Sequence, residues 1–419
     1  MKQRIKDSYK RLRATNILSN FLNLSSIQVS NTLLLLITIR IINSNVGIEG
    51  FGMIMFAYRF SLLAGTVVNY GTGQSGVKDT TLNLADTQKL SAVFYNTLFI
   101  RLFIFILFLL GLLGFYWVHT ASYIYILVAV PVVLAEVFNP LCFFIGIEKI
   151  RIFNICNLGA NIIAVAVIFL FIKTPANAAW VNFILGTGNI ITYVGLLIYF
   201  VNRFKLHFNV PLKMELKQVA KDNFYLTINN ISANLQQSII IFALEWINSG
   251  LLGAYTLADR FIGQCRNLLN IVTNAVYPNA VNLYKQGADV WAAFRKKYKR
   301  LFAGVFFAGA LLIFVLADFI IFILSKKHNP DAVMILRVMA FVPVISALNV
   351  FSMLDMLLKS KNLYIFKIAI LLVFVAALVA FTLLSIGNYL LIGGFTIIIE
   401  CCAWVMYEYV IKKSSVKNG

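Results

Sequence analysis

Charge is what this sequence has least of. Of 419 residues only 12% are Asp, Glu, Lys or Arg, whereas 60% are hydrophobic. A soluble protein of this length divides into domains with strongly charged surfaces, and that class is excluded. The short alternating segments that build a membrane β-barrel are missing too. His119, His207 and His328 lie far apart, and no G-x-S-x-G or H-E-x-x-H run occurs. No hydrolytic or metal constellation can be assembled from that set. The five cysteines (Cys142, Cys156, Cys265, Cys401 and Cys402) sit in apolar stretches without a C-x-x-C pair, which argues against a disulfide framework or a zinc site. Acids are outnumbered by bases, 16 to 36. The bases form no stripe on a polar domain, so nucleic acid is not an expected partner.

What is present is apolar sequence in long runs, such as 102–113 and 368–384. A helix needs about 20 residues to cross a hydrocarbon core about 30 Å thick. Spans are expected at about 14–43, 51–71, 90–118, 121–147, 150–172, 178–201, 221–248, 251–283, 300–324, 331–358, 361–385 and 388–411. The fold class is therefore an all-α polytopic membrane protein, with about twelve transmembrane helices in two six-helix lobes. The expected divisions are a basic tail over 1–13, an N-lobe over 14–201, a basic linker over 202–220, a C-lobe over 221–411 and a short tail over 412–419. Segments on the side of the N-terminus, borders included, hold 26 of the Lys and Arg residues, against 3 on the other side. That asymmetry places both termini in the cytoplasm. No outer loop exceeds about ten residues.

The two halves echo each other. Gly52-x4-Ala57-x-Arg59-Phe60 recurs 201 residues later as Gly253-x4-Ala258-x-Arg260-Phe261, and Ile42-Asn43-Ser44 recurs as Ile247-Asn248-Ser249. Both copies fall at the outer turn leading into the second span of a half. With an even number of spans per half the repeats run parallel, which puts a site at the pseudo-two-fold axis. Gly71-Thr72-Gly73-Gln74-Ser75-Gly76 matches the dinucleotide fingerprint in letters. It follows a membrane span instead of a strand, so a flexible exit from that span is expected in place of a nucleotide site.

Ionisable groups inside spans are costly in lipid and face a partner or a wet cavity. At 1.5 Å per residue, Arg59 and Arg260 lie about 12–13 Å from the outer face, Arg266 lies deeper, and Arg101 is near the middle of its span. Two readings stay open for Arg59 and Arg260: an interhelical ion pair with Glu136, Glu245 or Asp318, or a cationic cavity for an anionic substrate. A guanidinium suits phosphate because its planar donors engage two oxygens at once. Asp259 adjoins Arg260 but cannot face it from the same side of a helix. Asn23, Gln28 and Asn31 in the first span, and Asn230, Asn234 and Gln237 in the seventh, either bond neighbouring helices or line a cavity that holds sugar. Glu136, Asp318 and Asp355 are candidates for coupling to H+ or Na+, because burial favours the protonated form of a carboxylic acid.

Gly47-x4-Gly52, Phe143-Phe144-x-Gly146-x-Glu148-Lys149, and Gly253-x-Tyr255-x-x-Ala258-Asp259-Arg260 followed by Tyr277-Pro278 complete the pattern. In these motifs the chain resembles the Wzx-type polysaccharide flippases of the MOP superfamily. The resemblance implies two lobes around a cavity lined by spans 1, 2, 7 and 8, in the bacterial inner membrane. It implies no enzyme and no cofactor, but a flippase for undecaprenyl-pyrophosphate-linked oligosaccharide; the depth and repeat positions above make Arg59, Arg260, Arg266 and Arg101 its candidate substrate-binding residues. Polysaccharide polymerase and chain-length machinery are the partners it implies. A small-molecule antiporter of the MATE type and an O-antigen polymerase or ligase are the alternatives; the enzymes typically carry a large outer loop that this chain lacks.

Overall fold

The computed structural model describes the backbone of residues 2–115, 120–359, 361–386 and 389–416. Side chains are described over 29–114, 122–248, 250–269, 276, 280–281, 283–287, 289–359, 361, 363–386 and 391–413. Among the described residues there is no strand. The first half comprises α1 (Lys2–Asn69), α2 (Thr72–Leu82), α3 (Thr87–Phe115), α4 (Thr120–Val128), α5 (Val130–Phe138), α6 (Leu141–Gly146), α7 (Ile150–Phe171) and α8 (Trp180–Phe204). The second half comprises α9 (Lys213–Ile247), α10 (Ser249–Gln286), α11 (Ala288–Ser325), α12 (Pro330–Met339), α13 (Val342–Leu358), α14 (Asn362–Ser385) and α15 (Phe395–Val416).

Nine helical stretches among the described residues are long and apolar enough to cross a membrane. One of them, Val29–Leu82, contains two arms folded at Gly47. The first arm (Leu34, Thr38, Ile42) and the second (Met55, Tyr58) line one cavity, so they run antiparallel. A turn of several residues was expected here. Gly47 alone makes it, at φ 82° and ψ 173°, a conformation open to glycine and strained for other residues. The long helices α9 and α10, more polar because of the amides and charges along them, complete the expected twelve.

Proline explains why two spans come in pieces. The expected span 121–147 is α4, α5 and α6, interrupted before Pro131 and at Asn139-Pro140; the span 331–358 is α12 and α13, interrupted before Pro343. Each proline lacks the N–H that would bond the carbonyl four residues back. Two expectations for connections are corrected. The Gly71–Gly76 exit is no flexible loop: Tyr70 and Gly71 make a left-handed turn (φ 48° and 69°) and α2 starts at Thr72. The connection expected at 284–299 between two spans, with its basic run Arg295–Arg300, is helical, because α11 begins at Ala288 with only Gly287 after α10. Trp291 anchors that early start: it is buried and donates to Asp355 Oδ1 at 2.8 Å. Arg295 and Lys359 reach Asp355 Oδ2 at 3.2 and 2.9 Å, and Lys299 reaches Glu408 at 2.6 Å. Off the membrane, Asp86 caps α3 by accepting from the N–H groups of Gln88 and Lys89. The Lys89 N–H above all holds its carboxyl below the usual carboxylate range.

The halves meet where the second arm of α1 crosses α10. A Cβ on Gly52 would lie 2.7 Å from the Gly253 backbone nitrogen, and one on Gly253 would lie 2.0 Å from the Ile48 carbonyl oxygen. The repeat partners Gly52 and Gly253 therefore touch each other, which puts the pseudo-two-fold axis between them. The crossing closes the end of the bundle that carries Gly47 and Asn248.

Candidate substrate cavity

Beyond the glycine crossing the two helices diverge around a cavity of about 520 Å³. Its wall includes Arg59, Gln237, Asp259, Arg260, Gln264, Arg266, Asn267, Asn349 and Glu400. On α10, Arg260, Gly263, Gln264 and Asn267 follow the three-and-four spacing of a single helix face. The opposite face is apolar and buried through Leu251, Ala258 and Ile262. The start of α10 is fixed by Asn248, whose side-chain oxygen accepts from the Leu251 N–H at 3.0 Å.

The three cavity arginines are not equivalent. Arg59 Nη2 lies 2.8 Å from Asp259 Oδ2, and Nη1 lies 3.4 Å from Gln237 Oε1. Arg266 Nη2 lies 2.7 Å from Glu400 Oε1, whose second oxygen accepts from Asn349 Nδ2 at 2.6 Å. Arg260 has no carboxylate in ion-pair contact among the described residues. Its Nε points at Met55 Sδ at 3.2 Å, and its guanidinium stacks over the Tyr58 ring, 4.4 Å from the centroid. Arg260 also lines a second cavity of about 370 Å³ between both arms of α1 and α7, beside Asn31, Thr38, Asn161 and Gln264. Three arginines face two carboxylates around the main cavity, which leaves it net cationic.

Arg101 is the correction among the arginines. It is buried inside the first half, away from the cavity. Its Nη1 donates to the carbonyls of Glu136 at 3.3 Å and Asn139 at 2.7 Å, and its Nε donates to Thr72 at 2.8 Å. Residue 136 is four before Pro140, so Arg101 satisfies the carbonyl that the proline leaves free. The expected acid partners of Arg59 and Arg260 are corrected as well. Glu245 bonds Ser122, and Asp318 is a half-exposed partner of His328 at 2.9 Å. The Glu136 carboxylate accepts from Asn69 at 3.4 Å and Asn139 at 3.1 Å, with no cation within ion-pair distance of it among the described residues. Asp318 is thus no buried coupling acid, and Asp355 is committed to Trp291, Arg295 and Lys359.

The amides divide between sites. Gln237 lines the main cavity, Asn31 the second, and Asn230 and Asn234 line a third of about 260 Å³ beside Glu136, Asn69 and Thr66. Asn234 donates to Thr66 at 3.1 Å. Asn23 and Gln28 lie outside the residues whose side chains are described. Sequence reasoning missed Glu400, Asn349, Gln264 and Asn267. Glu400 carried a signal, as an acid inside an apolar span; Gln264 and Asn267 lie on the face marked by Arg260. Among the described residues no cluster of His, Cys, Asp and Glu is placed to hold a metal ion.

Two halves around a central polar cavity form a fold shared with transporters of the MOP superfamily. The chain superposes on an inward-facing multidrug resistance MATE family transporter of that superfamily with a TM-score of 0.78 and 12% identity, over 92% of this chain and 96% of the other. The lipid II flippase MurJ in an inward closed conformation gives 0.72 and 12%, over 93% and 87%. The chain belongs to the polysaccharide biosynthesis protein family, whose model matches residues 17–283. A protein of Escherichia coli (strain K12) named as an O-antigen transporter is 22% identical over 365 residues, 85% of this chain and 88% of that protein. The likeness to Wzx-type flippases read from the sequence is thereby supported along most of the chain.

Proposed function

We propose that this protein turns undecaprenyl-pyrophosphate-linked oligosaccharide from the cytoplasmic to the outer leaflet of the bacterial inner membrane. The observation that carries the reading is Arg260: a cavity-facing guanidinium with no carboxylate in ion-pair contact among the described residues, beside the symmetry axis, between two cavities lined in part by polar residues. A planar cation in that position is suited to a pyrophosphate, and the amides around it to sugar hydroxyls. A net cationic cavity disfavours the cationic drugs of an antiporter. With both termini cytoplasmic, the glycine crossing closes the outer end, the cavity receives substrate from inside, and the halves rock to expose it outward. Moving one charge through 100 mV is worth about 2.3 kcal/mol. An inside-negative cell thus favours outward movement of two negative charges by up to about twice that amount.

Gene deletion with lipid analysis tests the reading. Loss of a flippase leaves single lipid-linked units on the cytoplasmic face; loss of a polymerase still displays single units outside, and that result would refute it. The orientation is checked by reporter fusions. Those after Asn45, Ala176 and His328 are expected to report the outside, and those after Gln88, Glu148 and Pro211 the cytoplasm.

Coupling to H+ or Na+ is assigned in this proposal to Glu136 alone, since it faces a cavity and its carboxylate pairs with no cation among the described residues. Glu136→Gln should keep protein level and thermal stability, because no buried arginine loses a partner. It should also abolish the response of flipping to a pH or sodium gradient in proteoliposomes. A Glu136→Gln protein that responds to both gradients as the parent does excludes this acid.

A further inference from the structure

The repeat gives residue n of the first half a counterpart at n + 201 in the second. On the axis the counterparts Gly52 and Gly253 touch. Less than two helical turns further on, the same symmetry governs a four-residue contact. Arg59 of the first half meets Asp259 of the second at 2.8 Å, and Arg260 of the second half meets Tyr58 of the first, 4.4 Å from its ring centroid. Position 58 is the counterpart of position 259. One side of the two-fold has an acid where the other has an aromatic ring, and the surroundings of the two arginines differ accordingly. Arg59 has two donors directed at protein acceptors, Asp259 and Gln237, whereas Arg260 is held by a ring face and a thioether.

A carboxylate and a phosphate compete for the same edge of a guanidinium. With Nη2 and Nη1 directed at Asp259 and Gln237, Arg59 can offer a phosphate its full charge and its two-donor fork only if Asp259 lets go. The pair also joins the halves, so its exchange removes a tie across the axis. We propose that Asp259 is an exchangeable counter-ion. It holds Arg59 and ties the halves while the cavity is empty. It yields Arg59 to a phosphate that has first engaged Arg260, and it retakes Arg59 to expel the product. Tyr58 is the complementary specificity element: by keeping an acid away from Arg260 it leaves one cation ready for the incoming anion. The inference rests on the anionic-substrate reading above and adds to it a residue that sets affinity and couples binding to motion.

The test is a titration of the purified protein in nanodiscs with inorganic pyrophosphate, at fixed salt. In the parent, binding is expected to depend on Arg260. Asp259→Asn is expected to tighten it about tenfold or more, the scale of one charge-assisted hydrogen bond freed from competition. Asp259→Glu keeps the competing charge and should stay near the parent. Tyr58→Asp gives Arg260 a counter-ion of its own and should weaken binding by about tenfold on the same scale. That variant adds a partner instead of removing one, so it reports even if Asp259→Asn fails to fold. Parent-like affinity in Tyr58→Asp, or in a folded Asp259→Asn, overturns the counter-ion role and leaves the flippase reading standing. Absence of Arg260-dependent pyrophosphate binding in the parent overturns both.

Discussion

Replacing Arg260 by alanine is expected to abolish polymer display at the cell surface while the protein accumulates in the membrane at its normal level. The two halves of that expectation have separate causes. Arg260 has no carboxylate in ion-pair contact among the described residues, so its loss leaves no acid stranded and costs little stability. In the proposed mechanism it supplies the cavity cation that no acid holds among the described residues. A charge-assisted hydrogen bond contributes about 1.5–3 kcal/mol, so affinity for the pyrophosphate should fall by about 10- to 100-fold. Arg260→Lys keeps the charge without the planar fork and should restore display in part. The same change at Arg59 behaves differently. Arg59→Ala strips Asp259 of its partner at side-chain exposures of 17% and 16%, and breaking a buried pair costs about 3–5 kcal/mol. Because this pair faces a cavity, the low end applies, and Arg59→Ala should reduce both protein level and display. Immunoblots beside surface-polymer staining separate the two. Normal display in Arg260→Ala would remove the arginine from the substrate site.

Gly253→Ala should be the most damaging single change at the crossing. The new Cβ would lie 2.0 Å from the Ile48 carbonyl oxygen and 2.8 Å from its carbon. These are backbone atoms of the opposing helix, with no flexible end to move aside. Overpacking of a well-packed contact costs about 1–3 kcal/mol, and a backbone clash falls at the top of that range. The expected result is a lower thermal midpoint in detergent and loss of export, since the halves are pried apart at the end they must seal. Gly263→Ala, on the same helix with nothing within 4 Å of the new Cβ, is the control and should unfold as the parent does. Equal midpoints for the two variants would refute the closed crossing.

Much of this arrangement was legible before the structure. Apolar runs gave the helices, and the Gly-x4-Ala-x-Arg-Phe repeat gave both the axis and the two arginines on it. What stayed hidden depends on contacts between segments far apart in the chain. Asp259 was judged only against Arg260, its neighbour on the helix. Its partner is Arg59, 200 residues away, brought there by the glycine crossing. Arg101 read as a substrate cation because an intramembrane arginine commonly faces a cavity. Its use as a donor to the carbonyl freed by Pro140 requires knowing that α3 packs beside the break. The early start of α11 was masked by a basic run that composition assigns to a loop. Asp355 and Glu408, acids from other helices, stabilise its Arg295 and Lys299.

The central claim is that the chain itself flips a pyrophosphate-linked glycan through the Arg260 cavity. It is tested most directly in proteoliposomes that carry labelled undecaprenyl-pyrophosphate-linked oligosaccharide in both leaflets. A membrane-impermeant enzyme added outside cleaves only the glycan it can reach. With the parent protein the whole pool should be consumed, and with Arg260→Ala cleavage should stop once the outer-leaflet pool is gone. Parent vesicles that also stop at the outer pool, or Arg260→Ala vesicles that run to completion at the parent rate, would contradict the account.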